Sequence, residues 1–134
     1  LDDLANQSGL LGLSGISGDC RDLEIAAAAG NQDAQLALDV FVAEIRRHLG
    51  GLLLQLGGAE AIVFTGGIGE NGTAIRAAVC EGLSELGISL DAERNQSSNN
   101  EALISTDSSK VQIWVVPTNE EIVVARQTKI LLEG

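Results

Sequence analysis

The feature that most constrains this chain is Ala61-Ile-Val-Phe-Thr-Gly-Gly-Ile-Gly-Glu-Asn71, four apolar residues running into a glycine-rich turn. An unbroken apolar tetrad reads as a strand covered on both faces, because a half-solvated strand alternates apolar with polar. Gly66, Gly67 and Gly69 remove Cβ atoms at the strand's C-terminal end, the edge where open α/β sheets take ligands. Asn71 is placed to cap a following helix, whose N-terminus favours negative charge. The stretch therefore predicts a nucleotide or phosphate site. Residues 67–72 also satisfy G-x-G-x-x-G, with Asp91 at about the distance of a ribose-binding acid. An NAD-type fingerprint and a purely structural tight turn thus stand beside the first reading.

Composition narrows the class. With 134 residues, 45% of them hydrophobic, the chain suits one globular domain spanning 1–134. A net charge of −11 disfavours nucleic acid and anionic membrane as partners and reads most simply as solubility. Aromatic residues are only 2%, too few for a base-stacking platform. Cys20 and Cys80 stand far apart without metal-ligand spacing, which suits a reducing cytoplasm. The opening Leu-Asp-Asp-Leu reads as an entry into the middle of a longer protein.

Along the chain, residues 1–22 are rich in Gly and Ser, which predicts a shaped loop rather than a helix, although Leu10, Leu11, Leu13 and Ile16 are more than a solvated linker needs. Asn31 and Asp33 open a long helix. Its stripe is Leu38, Phe41, Val42, Ile45, Leu49, Leu52 and Leu53, and Gly50-Gly51 is placed to bend it. His48 lies four residues after Glu44, so a surface ion pair is its predicted use. A second helix capped by Asn71 is predicted to bury Ile75, Val79, Leu83 and Leu86 and to end at Gly87. Residues 91–100 read as a polar loop, and residues 111–116 as a second buried strand stopped by Pro117, with Trp114 a core or interface residue. Thr118 and Glu121 form a capping box for the last helix, which leaves Glu120 free; local pattern favours a solvated carboxylate over one that faces a ligand or a hydrated cation. The order helix–strand–helix–strand–helix is α/β.

Three segments need a joint explanation: Ser14-Gly-Ile-Ser-Gly-Asp-Cys-Arg-Asp22, Phe64-Thr-Gly-Gly-Ile-Gly-Glu-Asn71 and Val116-Pro-Thr-Asn-Glu-Glu121. In this order and at these separations, with Leu36-Ala-Leu-Asp-Val-Phe41 between the first two, the chain resembles the C-terminal part of the acetate kinases. Three ordered blocks are more specific than one glycine motif and displace the dinucleotide reading. The resemblance implies part of the C-terminal lobe of an acetate and sugar kinase, Hsp70 and actin (ribonuclease H-like) fold. It implies phosphate transfer between ATP and acetate, with Mg²⁺, giving acetyl phosphate and ADP. By position it implies nucleotide binding by Asp19, Cys20 and Arg21 and by Gly67, Ile68, Gly69, Glu70 and Asn71, with Glu120 associated with magnesium. Propionate and butyrate kinases share the pattern. The family's substrate-binding arginine and catalytic histidine, aspartate and arginine have no counterpart here, since His48, Arg46 and Arg47 do not match them. The resemblance thus implies a homodimeric kinase of which this chain holds part of the nucleotide side, inactive alone; a non-catalytic nucleotide-binding or dimer-forming module is the remaining class.

Overall fold

The computed structural model describes residues 7–98, 100–119 and 121–133. The elements are helices α1 (Gly9–Ser14), α2 (Cys20–Ala28) and α3 (Gln32–Leu56), strand β1 (Ala61–Phe64), helices α4 (Gly66–Asn71), α5 (Thr73–Cys80) and α6 (Ala92–Ser97), strands β2 (Ala102–Leu103) and β3 (Gln112–Val115), and helix α7 (Glu121–Glu133). The strands form one sheet in the order β1-β3-β2. β1 runs parallel to β3, with Ile62 opposite Ile113 and Phe64 opposite Val115, while β2 pairs antiparallel to β3. The α/β class expected from the sequence is the class observed.

Two apolar clusters hold these elements. One gathers Cys20, Leu23, Ala34, Ala37, Leu38, Ile75 and Val79 where α2, α3 and α5 meet; the other gathers Cys80, Ile88, Ile104, Val111, Ile113 and Val115 under the sheet. Phe64 packs against both, so the residue that ends β1 also joins the sheet to the helices. Arg46 strengthens the α3–α5 seam by donating from Nη1 to the carbonyls of Ala78, Val79 and Glu81, which a helix end leaves without intrahelical donors.

Several expectations are corrected. The Gly/Ser-rich segment is not wholly loop. α1 forms there because its Leu10 finds the first cluster, and Gly12 lets the backbone close up: a Cβ on it would lie 2.8 Å from the Gln7 carbonyl oxygen. Among the described residues, β1 is covered on one face only. As an edge strand it turns Ile62 and Phe64 inward and leaves Val63 52% exposed. α3 continues through Gly50 and Gly51 to Leu56, and Leu52 faces out. Asn71 does not cap the next helix. It closes α4, its amide donating to the Gly67 carbonyl, and Gly72 takes the cap position of α5.

Farther along, α5 ends at Cys80, so Leu86 is exposed, and Gly87 (φ +79°) ends only a short 3-10 turn, Ser84–Leu86. The polar loop contains α6, capped by Asp91, whose carboxylate accepts from the Arg94 N–H. The capping box is replaced as well. Asn119 Oδ1 accepts from Ile122 N–H, and Thr118 turns its N–H and hydroxyl to Glu70 Oε1 at 2.9 and 3.1 Å. Glu44 pairs with Arg47 at 2.6 Å rather than with His48, because the longer guanidinium reaches it with two donors. Trp114 is half-buried, its indole N–H donating to Gln112 Oε1. No helix among the described residues is long and apolar enough to cross a membrane.

Candidate functional site

The first wall of the site is built by hydroxyls and a carboxylate. Ser14 Oγ accepts from the N–H groups of Ile16 and Ser17, and Ser17 Oγ accepts from Asp19 N–H while donating to Asp22. These local bonds turn the chain sharply into α2, and Asp19 caps that helix by accepting from Arg21 N–H at 2.9 Å. The same carboxylate takes Arg21 Nε at 3.2 Å and Nη2 at 2.6 Å. The Arg21 guanidinium holds the Asp19 carboxyl at about 2, below its ordinary 3.8. The Arg21 side chain is nevertheless 82% exposed. An ion pair so open to solvent holds its cation with little net energy. Cys20 beside it is buried, and burial, helped by the charges of Glu24 and Asp19, pushes its thiol up.

The second wall is the glycine turn. Its glycines serve different ends. Gly66 enters α4 at φ +71°, a conformation that side-chain-bearing residues rarely adopt. Gly69 lies against β1, where a Cβ would sit 3.0 Å from the Phe64 carbonyl carbon, and Gly72 lies against α4, where it would sit 2.7 Å from the Ile68 oxygen. At Gly67 a Cβ would meet nothing within 4 Å. A Cβ at Gly66 would also meet nothing within 4 Å, but of the two only Gly67 lines the cleft between the two walls.

Between the walls lies a cleft of about 710 Å³, lined on one side by Asp19, Cys20 and Arg21 and on the other by Gly67, Ile68 and Asn71. The fold thus brings together six of the eight nucleotide candidates, drawn from two separate stretches of sequence. Gly69 and Glu70 do not line it: Gly69 packs on β1, and the Glu70 carboxylate is engaged by Thr118. Glu120, the magnesium candidate, lies outside the described residues. Among the described residues no three His, Cys, Asp or Glu gather to hold a metal ion. Asp91 caps α6 and pairs with Arg94, and is not among the cleft's lining residues.

Sequence reasoning missed Arg76. It is fully buried, and its guanidinium makes five hydrogen bonds to neutral oxygens: Gly69 O, Glu70 O, Asn95 Oδ1, Asn95 O and Ser98 Oγ, all at 2.7–2.9 Å. Burial lowers its pKa, yet a guanidinium remains charged in proteins. A signal was available: Arg76 falls one residue after Ile75 and three before Val79, on a helix short enough that its neighbours are core.

The family model described as the acetokinase family matches residues 1–126. The acetate kinase of Finegoldia magna is 52% identical over 125 residues, covering 93% of this chain and 32% of that protein. The propionate kinase of Escherichia fergusonii is 51% identical over 123 residues, covering 92% and 30%. The crystal structure of Porphyromonas gingivalis acetate kinase matches with a TM-score of 0.87 and 39% identity, over 98% of this chain and 33% of that one. The chain spans about a third of the length of the relatives it matches.

Proposed function

The chain belongs to the acetokinase family, and from that premise we propose that it forms the C-terminal, nucleotide-side portion of an ATP-dependent acetate kinase. What supports the reading is one observation: Asp19, Cys20 and Arg21 line one cleft together with Gly67, Ile68 and Asn71, which lie far from them in sequence. In this reading the backbone at Gly67 and Ile68 lies against the adenosine, because no Cβ at Gly67 holds the ligand off. Arg21 leaves Asp19 for a phosphate oxygen, an exchange that costs little between exposed charges. Gly69 and Glu70 act behind the turn, through Phe64 and Thr118, rather than on the ligand itself. Magnesium would have Glu120 as its candidate carboxylate; the described residues supply no further cluster for it, and no step is routed through the ion.

The groups that hold the acyl acceptor and stabilise the transferring phosphoryl group are assigned to the remainder of the enzyme, so residues 1–134 alone lack turnover. We also propose a cytoplasmic homodimer, which a monomer by light scattering at roughly tens of micromolar would contradict. The experiment is a kinase assay of the protein at the full length of its relatives, with ATP, Mg²⁺ and acetate and with hydroxylamine to trap acyl phosphate. No hydroxamate from acetate, propionate or butyrate overturns the proposal. A preference for propionate favours the second reading, which the similarity to a propionate kinase supports.

A further inference from the structure

We propose that Arg76 is a positioning residue for the cleft: its buried guanidinium fixes the backbone of the glycine turn in the shape that receives the nucleotide, and ties that turn to α6. The inference rests on the nucleotide reading of the cleft.

α4 has six residues, too few to hold its own shape, and its last carbonyls have no intrahelical donors. Arg76 Nη1 supplies two of them, Gly69 O and Glu70 O, each at 2.8 Å. From the other side of the same plane, Nε donates to Asn95 Oδ1 at 2.7 Å and Nη2 to Asn95 O and Ser98 Oγ at 2.9 Å. Asn95 is itself fixed, its amide donating to the Thr73 carbonyl at 2.9 Å. One planar group therefore joins the glycine turn, the start of α5 and the end of α6. A lysine ammonium, with its donors on a single nitrogen, cannot span both sides.

The consequence for the ligand follows from chain order. Gly69 and Glu70 sit between Ile68 and Asn71, which line the cleft, and Gly72 and Ile75, four residues and one residue before Arg76, line it too. If the two clamped carbonyls move, the ligand-facing backbone on either side moves with them. A misplacement of about 1 Å is enough to weaken a preorganised site severalfold or more.

The test uses Arg76→Lys and Asn95→Ala in the protein at the full length of its relatives; Asn95→Ala keeps the cation but removes its Nε partner. Amide hydrogen exchange across residues 67–71, ADP affinity, the KM for acetate and thermal melting are measured for both and for wild type. The expected result is exchange across 67–71 faster by roughly tenfold or more, and ADP affinity weaker by roughly tenfold, in protein that still melts cooperatively. The KM for acetate should stay as in wild type. Unchanged exchange across 67–71 in a folded variant overturns the clamp. Nucleotide and acetate constants that worsen together in step with lost folded protein overturn positioning in favour of bulk stability. If Arg76→Lys does not fold, Asn95→Ala decides the matter by the same readouts. Absence of ADP binding by wild type sinks the nucleotide reading instead, while the exchange comparison still decides whether Arg76 holds the turn.

Discussion

The two walls of the cleft each carry an arginine, and the two arginines are handled in opposite ways. Arg21 stands 82% exposed with one carboxylate partner, a cation that can be redirected at little cost. Arg76 has no exposed surface and is spread over five backbone and side-chain oxygens. Burying a charge is costly unless hydrogen bonds surround it, and once they do, moving it breaks all of them together. One wall is built to follow a ligand and the other to stay where it is. A site for a flexible polyphosphate attached to a rigid nucleoside benefits from both.

The sharpest way to break this contrast is to truncate both arginines. Arg76→Met should destabilise the protein by about 3 kcal/mol or more, since several buried oxygens lose their donor at once, whereas Arg21→Met should melt as wild type does. Denaturant melts of the pair measure this, and equal losses would erase the distinction between the walls. A smaller effect separates the glycines of the fixed wall. Gly72→Ala drives a Cβ to 2.7 Å from the Ile68 oxygen and should cost about 1–3 kcal/mol. Gly67→Ala meets no neighbour, so its melt should stay within about 0.5 kcal/mol of wild type while ADP binding weakens. Full ADP affinity in that variant would remove Gly67 from the ligand face.

The smallest effect concerns the wall that carries Arg21 and its response to pH. The Asp19 carboxyl is depressed to about 2 by Arg21, so its pairing and its cap of α2 are fully present above the ordinary 3.8 and are lost as pH falls through about 2. Arg21→Met should return the Asp19 titration toward 3.8, as read from the carboxyl carbon by NMR. An unmoved titration would mean that the cap bond from the Arg21 N–H holds Asp19 down, not the guanidinium.

Much of this was legible in the chain. α3 announced itself by its stripe and by Asn31, which does cap it by accepting from Ala34 N–H. The strand-to-turn run at 61–71 pointed to the cleft because glycine spacing is a local property. The errors share one cause, which is that distant partners overrode local preference. Asn71 has the makings of a cap but lies at the end of a short helix that Gly66 enters at positive φ and whose Gly69 carbonyl is taken by the distant Arg76. Thr118 would cap Glu121 in isolation, yet Glu70, far upstream in the chain, claims its hydroxyl. Residues 91–100 read as loop because Asn95, polar and central, is buried against an arginine that no local pattern could pair with it. The two covered faces expected of β1 failed for a simpler reason: its position in the sheet is set by β3, and composition carries no information on which strand lies at the edge.

The parallel pairing of β1 with β3 also sets a timetable. Ala61 meets its β3 partner only at Gln112, roughly fifty residues later, so β1 leaves the ribosome before β3 exists. At about 5–20 residues per second the wait lasts about 3–10 s. Through that interval Ile62 and Phe64 lack their β3 partners Ile113 and Val115, and the wall that Arg76 lines up has neither Asn95 nor Thr118 to anchor it. Nascent chains arrested before β3 should therefore depend more on chaperones than chains that already include it.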